Sequence, residues 1–433
     1  MTETKAMDDD LAQQNTHTDR TFCRSMLFAF PLLFFTVGFL DAARADESLL
    51  PYAMSVPREG EGDTLRFAAF QVERYDSNFF RLPDGVNPNG NQLRSTVTST
   101  TGLGVGLDKR YGLQRFVADA AVTYDHYAPY TKLDFTGYRL TSTYYWAITP
   151  ALTGNLVFDH ARLPTNYEFT SFRTATNPRT TQNTRLDIDW RAGAALHPRL
   201  SLFATEDTTQ DPTFQVESYK ARNAQLALVY QFRSNNNAQV YLRGTRGNNT
   251  NADQPPSFLI NNDFTESEAG FLTQWTVSGL TTGEASIGRL QRNYSTFNQR
   301  SFDGVVGHLN LTYNVTGKTT ARLAASRTLN SSQTIFSSYY TEDIGRASLE
   351  WAATGKITVR PVFQLRRQVY KGSPFPVVAN LSETTRDTSL QVDLAALRAL
   401  DFSFALTRST RNANDPTLQF VDHSASVSAR IKF

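Results

Sequence analysis

The sequence predicts an all-β protein: a transmembrane antiparallel up-and-down β-barrel of about eighteen strands, with roughly sixteen as the alternative. Three observations predict it. An apolar run near the amino terminus has the layout of an export signal. From residue 64 onward, segments with period-two alternation follow one another between turn clusters that are short and long by turns. The chain then ends on VDHSASVSARIKF, in which Val421, His423, Ala425, Val427, Ala429, Ile431 and Phe433 share one parity, and Asp422, Ser424, Ser426, Ser428, Arg430 and Lys432 the other. Strand side chains alternate between faces, so one face there is mostly apolar and the other polar throughout.

The amino-terminal run is MLFAFPLLFFTVGFL, residues 26–40, preceded by Arg20 and Arg24 and followed by the small-x-small pattern Ala43-Arg44-Ala45. This reads as a signal peptide over 1–45, cleaved before Asp46. The competing reading, a membrane anchor, meets a run shorter than the roughly 20 residues a spanning helix needs. The stretch before it is long for a signal and carries Asp8-Asp9-Asp10, which makes Met7 an alternative start. A short periplasmic segment, 46–63, is expected to precede a barrel over 64–433. Cys23, the only cysteine, would leave with the signal, so no disulfide or thiol chemistry is expected of the mature chain. A formal charge of +2 gives no argument for nucleic acid. With 40% hydrophobic residues and no second long apolar run, the chain does not read as a helical membrane protein. If it meets lipid, it does so with strands, which 18 Tyr and 30 Phe suit.

Several strands are explicit. Leu186, Ile188, Trp190, Ala192, Ala194 and Leu196 oppose Arg185, Asp187, Asp189 and Arg191; Gly307, Leu309, Leu311, Tyr313 and Val315 oppose His308, Asn310, Thr312 and Asn314. Ile357, Val359, Pro361, Phe363 and Leu365 oppose Thr358, Arg360, Gln364 and Arg366, although Pro361 cannot donate to a ladder. Stretches 97–107 and 282–292 alternate weakly. Short separators read AITP (147–150), LHPR (196–199), RSNNN (233–237), SGLTT (278–282), NVTGK (314–318), ATGK (353–356) and ALRAL (396–400). Longer polar ones cover 75–95, 163–183, 209–219, 248–263, 329–340 and 370–383. Short periplasmic turns alternating with longer external loops are how outer-membrane barrels are built, and closure leaves no backbone group unpaired in lipid. Tyr124, Tyr144-Tyr145-Trp146, Tyr230, Trp275, Tyr313 and Trp351 fall near strand ends, where amphipathic rings sit at headgroup level. Phe433 reads as the terminal aromatic by which such barrels are recognised for assembly.

The inward parity then carries Arg185, Arg191, Arg222, Arg243, Arg322, Arg360, Arg366 and Arg430 against Asp119, Asp125, Asp159, Asp187, Asp189, Glu350 and Asp393. Such a lumen holds water and suits a hydroxyl-rich or anionic solute; alternatively, the charges pair with each other and stabilise a polar wall. No enzymatic constellation is legible. No HExxH or metal-ligand spacing occurs, no cofactor is implied, and Asp159 and His160 on one strand face opposite ways. GLGVGL (102–107) lacks a following helix and reads as a strand whose glycines relieve crowding.

The stretch YDSNFFRLPDG, residues 75–85, follows directly on the first strand. A barrel that opens this way resembles the EpsL-type outer-membrane proteins associated with exosortase and extracellular-polysaccharide operons. The resemblance covers the whole mature chain in weaker form and brings no catalytic motif. It implies a barrel taking part in synthesis or export of an exopolysaccharide, with outer-membrane lipid, the polysaccharide and periplasmic export components as partners. The alternative is a diffusion porin for small solutes, and the third reading a barrel-bound envelope enzyme. From the residues themselves, the oxygen-bearing Asp76, Ser77, Asn78 and Asp84 beside Phe79 and Phe80 offer three readings: sugar contact by stacking and hydrogen bonds, with Arg81 among the contacts, oxygens for a calcium ion, or an Asx turn whose rings anchor a loop to the wall.

Overall fold

The structure, a computed structural model, describes residues 64–88, 93–164, 178–191, 195–209, 218–234, 236–249, 263–296, 298–331, 337–373 and 381–433. The expected signal peptide with Cys23 and the segment 46–63 lie outside these residues. The alternating segments form β1 (Thr64–Asp76), β2 (Thr96–Tyr111), β3 (Gln114–Ala128), β4 (Phe135–Thr149), β5 (Leu152–Pro164), β6 (Pro178–Trp190), β7 (Leu196–Thr209), β8 (Tyr219–Gln231) and β9 (Asn237–Asn249). The second half continues with β10 (Phe264–Val277), β11 (Thr281–Tyr294), β12 (Phe302–Thr316), β13 (Thr319–Ser331), β14 (Tyr339–Ala352), β15 (Ile357–Lys371), β16 (Ser382–Leu397), β17 (Leu400–Ala413) and β18 (Phe420–Lys432).

Each strand pairs antiparallel with its sequence neighbours, and β1 pairs β18 from Ala68↔Lys432 to Asp76↔Ser424, which closes an 18-stranded barrel. The two weakly alternating stretches are strands β2 and β11, which decides eighteen against sixteen.

Burial separates the two faces. In β18 the inward Asp422, Ser426, Ser428 and Arg430 are buried, whereas Val427, Ile431 and Phe433 are exposed. The same holds in β6, with Asp187 and Asp189 buried and Trp190 exposed. A closed sheet crowds its concave side and splays its convex side, so the exposed Leu and Val side chains form the belt that meets lipid. At its short-turn end the belt carries Tyr144, Trp146, Trp190, Tyr230, Trp275, Tyr313, Trp351 and Phe433 on the outward parity, while Tyr124 sits near the opposite end. Tyr145 departs from the expected girdle: lying between Tyr144 and Trp146, it faces inward opposite Arg115.

The connections also differ in detail. LHPR is not a turn; Leu196–Arg199 begin β7. A tight turn at Gly112-Leu113, with Gly112 at φ 57, links β2 to β3 and escaped the sequence reading. Among the described residues, three external connections are compact, each built on a single 3-10 turn: Thr131–Leu133, Asn298–Arg300 and Pro416–Leu418. Pro361 stays in β15 opposite Leu390 of β16, and on the β14 side the ladder skips from Val362 to Val359. The missing N–H is therefore spent on one seam only. In GLGVGL, Gly102 faces inward opposite Phe70, and a Cβ there would lie 2.1 Å from that ring. The glycine admits the aromatic side chain across the seam.

Candidate functional site

The inward wall brings the charged residues of distant strands into rows. On β6 and β7, Arg185 Nε donates to Asp187 at 2.9 Å, Asp187 also accepts from Ser201, and Asp189 receives Arg199 at 2.8 Å and Arg191 at 3.3 Å. Across β13–β17, Glu350 accepts from Arg322 at 2.9 Å and from Arg360 at 3.3 Å; Arg360 also grips Asp393, which accepts from Ser403 at 2.6 Å. Arg243 pairs with Glu268 across β9 and β10, and Arg430 with Asp401 at 2.8 Å across β17 and β18. Arg366 faces the same way opposite Thr385. The carboxylates are mostly buried beneath guanidiniums that remain more exposed, as in Arg243 at 38% against Glu268 at 3%. Charge-assisted bonds of this kind fix the wall and leave cationic edges toward the lumen.

Arg222 is a correction. It lies on the exposed face of β8 with Leu226 and Leu228, opposite Arg246 of β9, because Ala221, Ala227 and Val229 take the inward positions. Sequence reading also missed inward groups. Arg179 clamps Asp207 through Nε at 2.6 Å; Arg292 donates to Glu266 at 2.6 Å; Glu284 accepts from Gln274 at 2.6 Å and contacts His308 Nε2 at 2.7 Å. The signal was faint on β11, where Gly288 and Leu290 share the inward parity with Glu284 and Arg292. Among the described residues no group of three His, Cys, Asp or Glu side chains is placed to hold a metal ion.

The loop after β1 folds onto the lumen side of the closing seam. Arg81 Nη1 lies 3.0 Å from Asp76 and 2.8 Å from Asp422, with all three side chains buried. Ser77 Oγ and the Asn78 N–H both donate to Asp422 at 2.9 Å. The Asn78 side chain closes an Asx-type turn, accepting from the Leu82 N–H at 3.0 Å and donating to the carbonyls of Leu82 at 2.8 Å and Val421 at 3.0 Å. Arg81 adopts φ 54, a left-handed conformation that costs a non-glycine residue energy and that this web of bonds holds in place. Phe80 and Leu82 are buried with Tyr127 and Leu133, and the Phe79 ring stacks on Tyr130 at 6.0 Å. Of the residues singled out for sugar contact, Asp76, Asn78, Phe79, Phe80 and Arg81 thus come together within the protein, whereas Asp84 is exposed on the following turn. The arrangement is that of a clamp.

Residues 245–433, from within β9 to the last residue, match the family model described as "Putative beta-barrel porin 2". The chain is a porin-like barrel of the bacterial outer membrane. A search of curated proteins matches none. Solved structures similar to the chain include OpdK of Pseudomonas aeruginosa, at 10% identity and a TM-score of 0.47 over 86% of this chain and 99% of that one. A BenF-like porin of Pseudomonas fluorescens Pf-5 is 11% identical with a TM-score of 0.46, over 86% and 100%. OccK2 (OpdF) of Pseudomonas aeruginosa, solved with glucuronate, is 12% identical with a TM-score of 0.47, over 86% and 100%.

Proposed function

We propose that the protein is a diffusion porin admitting small polar solutes through the outer membrane. The observation that carries this reading is the inward wall, where rows such as Arg322–Glu350–Arg360–Asp393 line a closed barrel with paired charge and exposed guanidinium edges. Such a wall keeps water in the lumen and offers bidentate contacts to carboxylates and hydroxyls of a passing solute. The match of the carboxyl-terminal residues to a porin family model supports the same reading.

The test is reconstitution in planar bilayers and in vesicles. Stepwise ion conductance and swelling with small sugars and organic acids are expected. Arg360→Gln leaves Glu350 and Asp393 without a shared cation, so selectivity should shift toward cations. A barrel that folds but neither conducts nor admits small solutes would overturn the reading. The EpsL-type resemblance supplies the competing role, passage of a nascent polysaccharide in partnership with periplasmic export components. Deleting the gene separates the two: impaired small-solute uptake with normal surface polymer favours the porin, and polymer trapped in the periplasm favours export.

A further inference from the structure

The outer face of the barrel is not uniform at its extracellular edge. Near the extracellular ends of β15, β16, β17 and β18 the outward positions carry Arg367, Arg386, Arg408 and His423, all exposed. Register shows how they align: Arg367 is opposite Thr384, Arg386 opposite Thr410, and Arg408 opposite His423. Between β15 and β17 each cation thus sits two residues nearer the periplasm than the residue facing its predecessor. Paired rows climb the other way; the row Phe67–Val105–Ala120–Leu140–His160 starts beside the terminal Phe433 and rises away from the periplasmic turns. The stripe therefore follows the strand tilt and keeps one height around the wall. Immediately on its periplasmic side lie exposed Leu365, Leu390, Phe404 and Leu406, the apolar belt.

A second cationic site sits on β8 and β9. Arg222 and Arg246 are directly opposite each other in the ladder and both are exposed. Like charges facing across a strand pair repel, so this arrangement favours an anion between them. The other outward arginines at this level are answered: Arg289 donates to Asp303 at 2.9 Å and Arg327 to Asp343 at 2.6 Å. Among the described residues Arg222, Arg246, Arg386 and Arg408 make no ion pair with a carboxylate, and Arg367 faces across the ladder an Asp343 that is held by Arg327. Carboxylates border both patches on the outer face: Glu73 lies on β1, next to β18, and Glu206 of β7 binds Lys220 of β8 at 2.8 Å.

We propose that β8–β9 and β15–β18 dock the phosphate-bearing headgroups of outer-leaflet lipid, their acyl chains lying against the apolar belt below. Guanidiniums bind phosphate bidentately, and basic clusters at the edge of an apolar belt are suited to anionic lipid. This docking is independent of what passes through the lumen.

The test uses the mature barrel in zwitterionic vesicles doped with diphosphorylated lipid A, followed by extraction and quantification of retained glycolipid by native mass spectrometry. A contribution on the order of fivefold per arginine is expected near an anionic surface. Arg367→Gln/Arg386→Gln/Arg408→Gln should therefore lower retention at least tenfold, while the matching Lys variant, which keeps the charge, stays within about threefold. Heat-dependent gel mobility establishes that each variant is folded, and Arg222→Gln/Arg246→Gln provides a second variant at the other site. Dephosphorylated lipid should be retained poorly by the unmodified protein. Equal retention by the Gln variants or equal retention of dephosphorylated lipid would each overturn the proposal.

Discussion

Strand β18 has two neighbours and holds them by different means. Its seam with β17 runs from Leu400↔Ile431 to Arg411↔Phe420 and is joined by a compact turn in which Asp415 accepts from Thr417 N–H at 2.9 Å. Its seam with β1 joins the two ends of the barrel with no turn. There the ladder is extended beyond both of its ends: Phe67 and Phe433 exchange backbone bonds at 3.2 and 2.9 Å, and Ser77 N–H donates to the His423 carbonyl at 3.0 Å. The loop clamp on Asp422 then adds buried charge. Closing a short hairpin costs little chain entropy, whereas bringing together chain ends this far apart in sequence must be offset by contacts at the seam itself. The comparison teaches that the loop after β1, the most individual stretch of the sequence, serves closure of the barrel.

The largest expected effect follows. Asp422→Ala removes the acceptor of Ser77 Oγ, one of the two acceptors of the Asn78 N–H and one of the two carboxylates on Arg81, all at a buried position. Breaking a buried ion pair by removing one partner costs about 3–5 kcal/mol. On the hairpin seam, Asp401 binds Arg430 at 2.8 Å and Lys432 at 2.7 Å from a more open site. Asp401→Ala should cost about 1–2 kcal/mol, as for a partly solvated charged hydrogen bond. Urea unfolding in detergent micelles, read by heat-dependent gel mobility, compares the two. Equal losses would remove the distinction between the seams.

Much of this barrel was legible in the sequence because lipid on one side and water on the other impose alternation, which Leu186–Trp190 displays without interruption and Val421–Phe433 breaks only at His423. Legibility failed where both faces carry similar residues. In β8 the inward Ala221, Ala227 and Val229 are as apolar as the outward Leu226 and Leu228, so only register reveals that Arg222 faces out. In β11 outward Arg289 and inward Leu290 invert the expected contrast. The clamp was half legible. Residues 76–82 announce a turn with rings, but Asp422 and Val421, which complete it, lie at the other end of the chain, and no local pattern couples them.

Intermediate effects sharpen the comparison on either side of β1. Asn78→Ala strips the turn of its bonds to Leu82 and Val421 and leaves buried backbone groups unpaired, a loss of about 1–3 kcal/mol. On the β2 side the seam is filled by packing instead of charge, since Phe70 lies over Gly102. Gly102→Ala should therefore cost about 1–3 kcal/mol through overpacking, and Phe70→Leu in the same chain should recover part of it. A similar loss in Gly102→Ala with and without Phe70→Leu would show that the ring does not set the fit.

The smallest effect isolates burial itself. Arg327 and Asp343 meet with the fork geometry expected of a strong pair, Nε to Oδ1 at 2.6 Å and Nη2 to Oδ2 at 2.9 Å, but on the outer face of β13 and β14. Their side chains are 55% and 34% exposed, against 4% and 2% for Arg81 and Asp422. Water and mobile ions at the headgroup level screen the outer pair, and each partner freed by mutation is resolvated at little cost. A double-mutant cycle on Arg327→Ala and Asp343→Ala should therefore give a coupling of about 0.5 kcal/mol that declines as salt is raised. A coupling comparable to the loss in Asp422→Ala, and insensitive to salt, would mean that fork geometry and not burial distinguishes the closing seam from the rest of the wall.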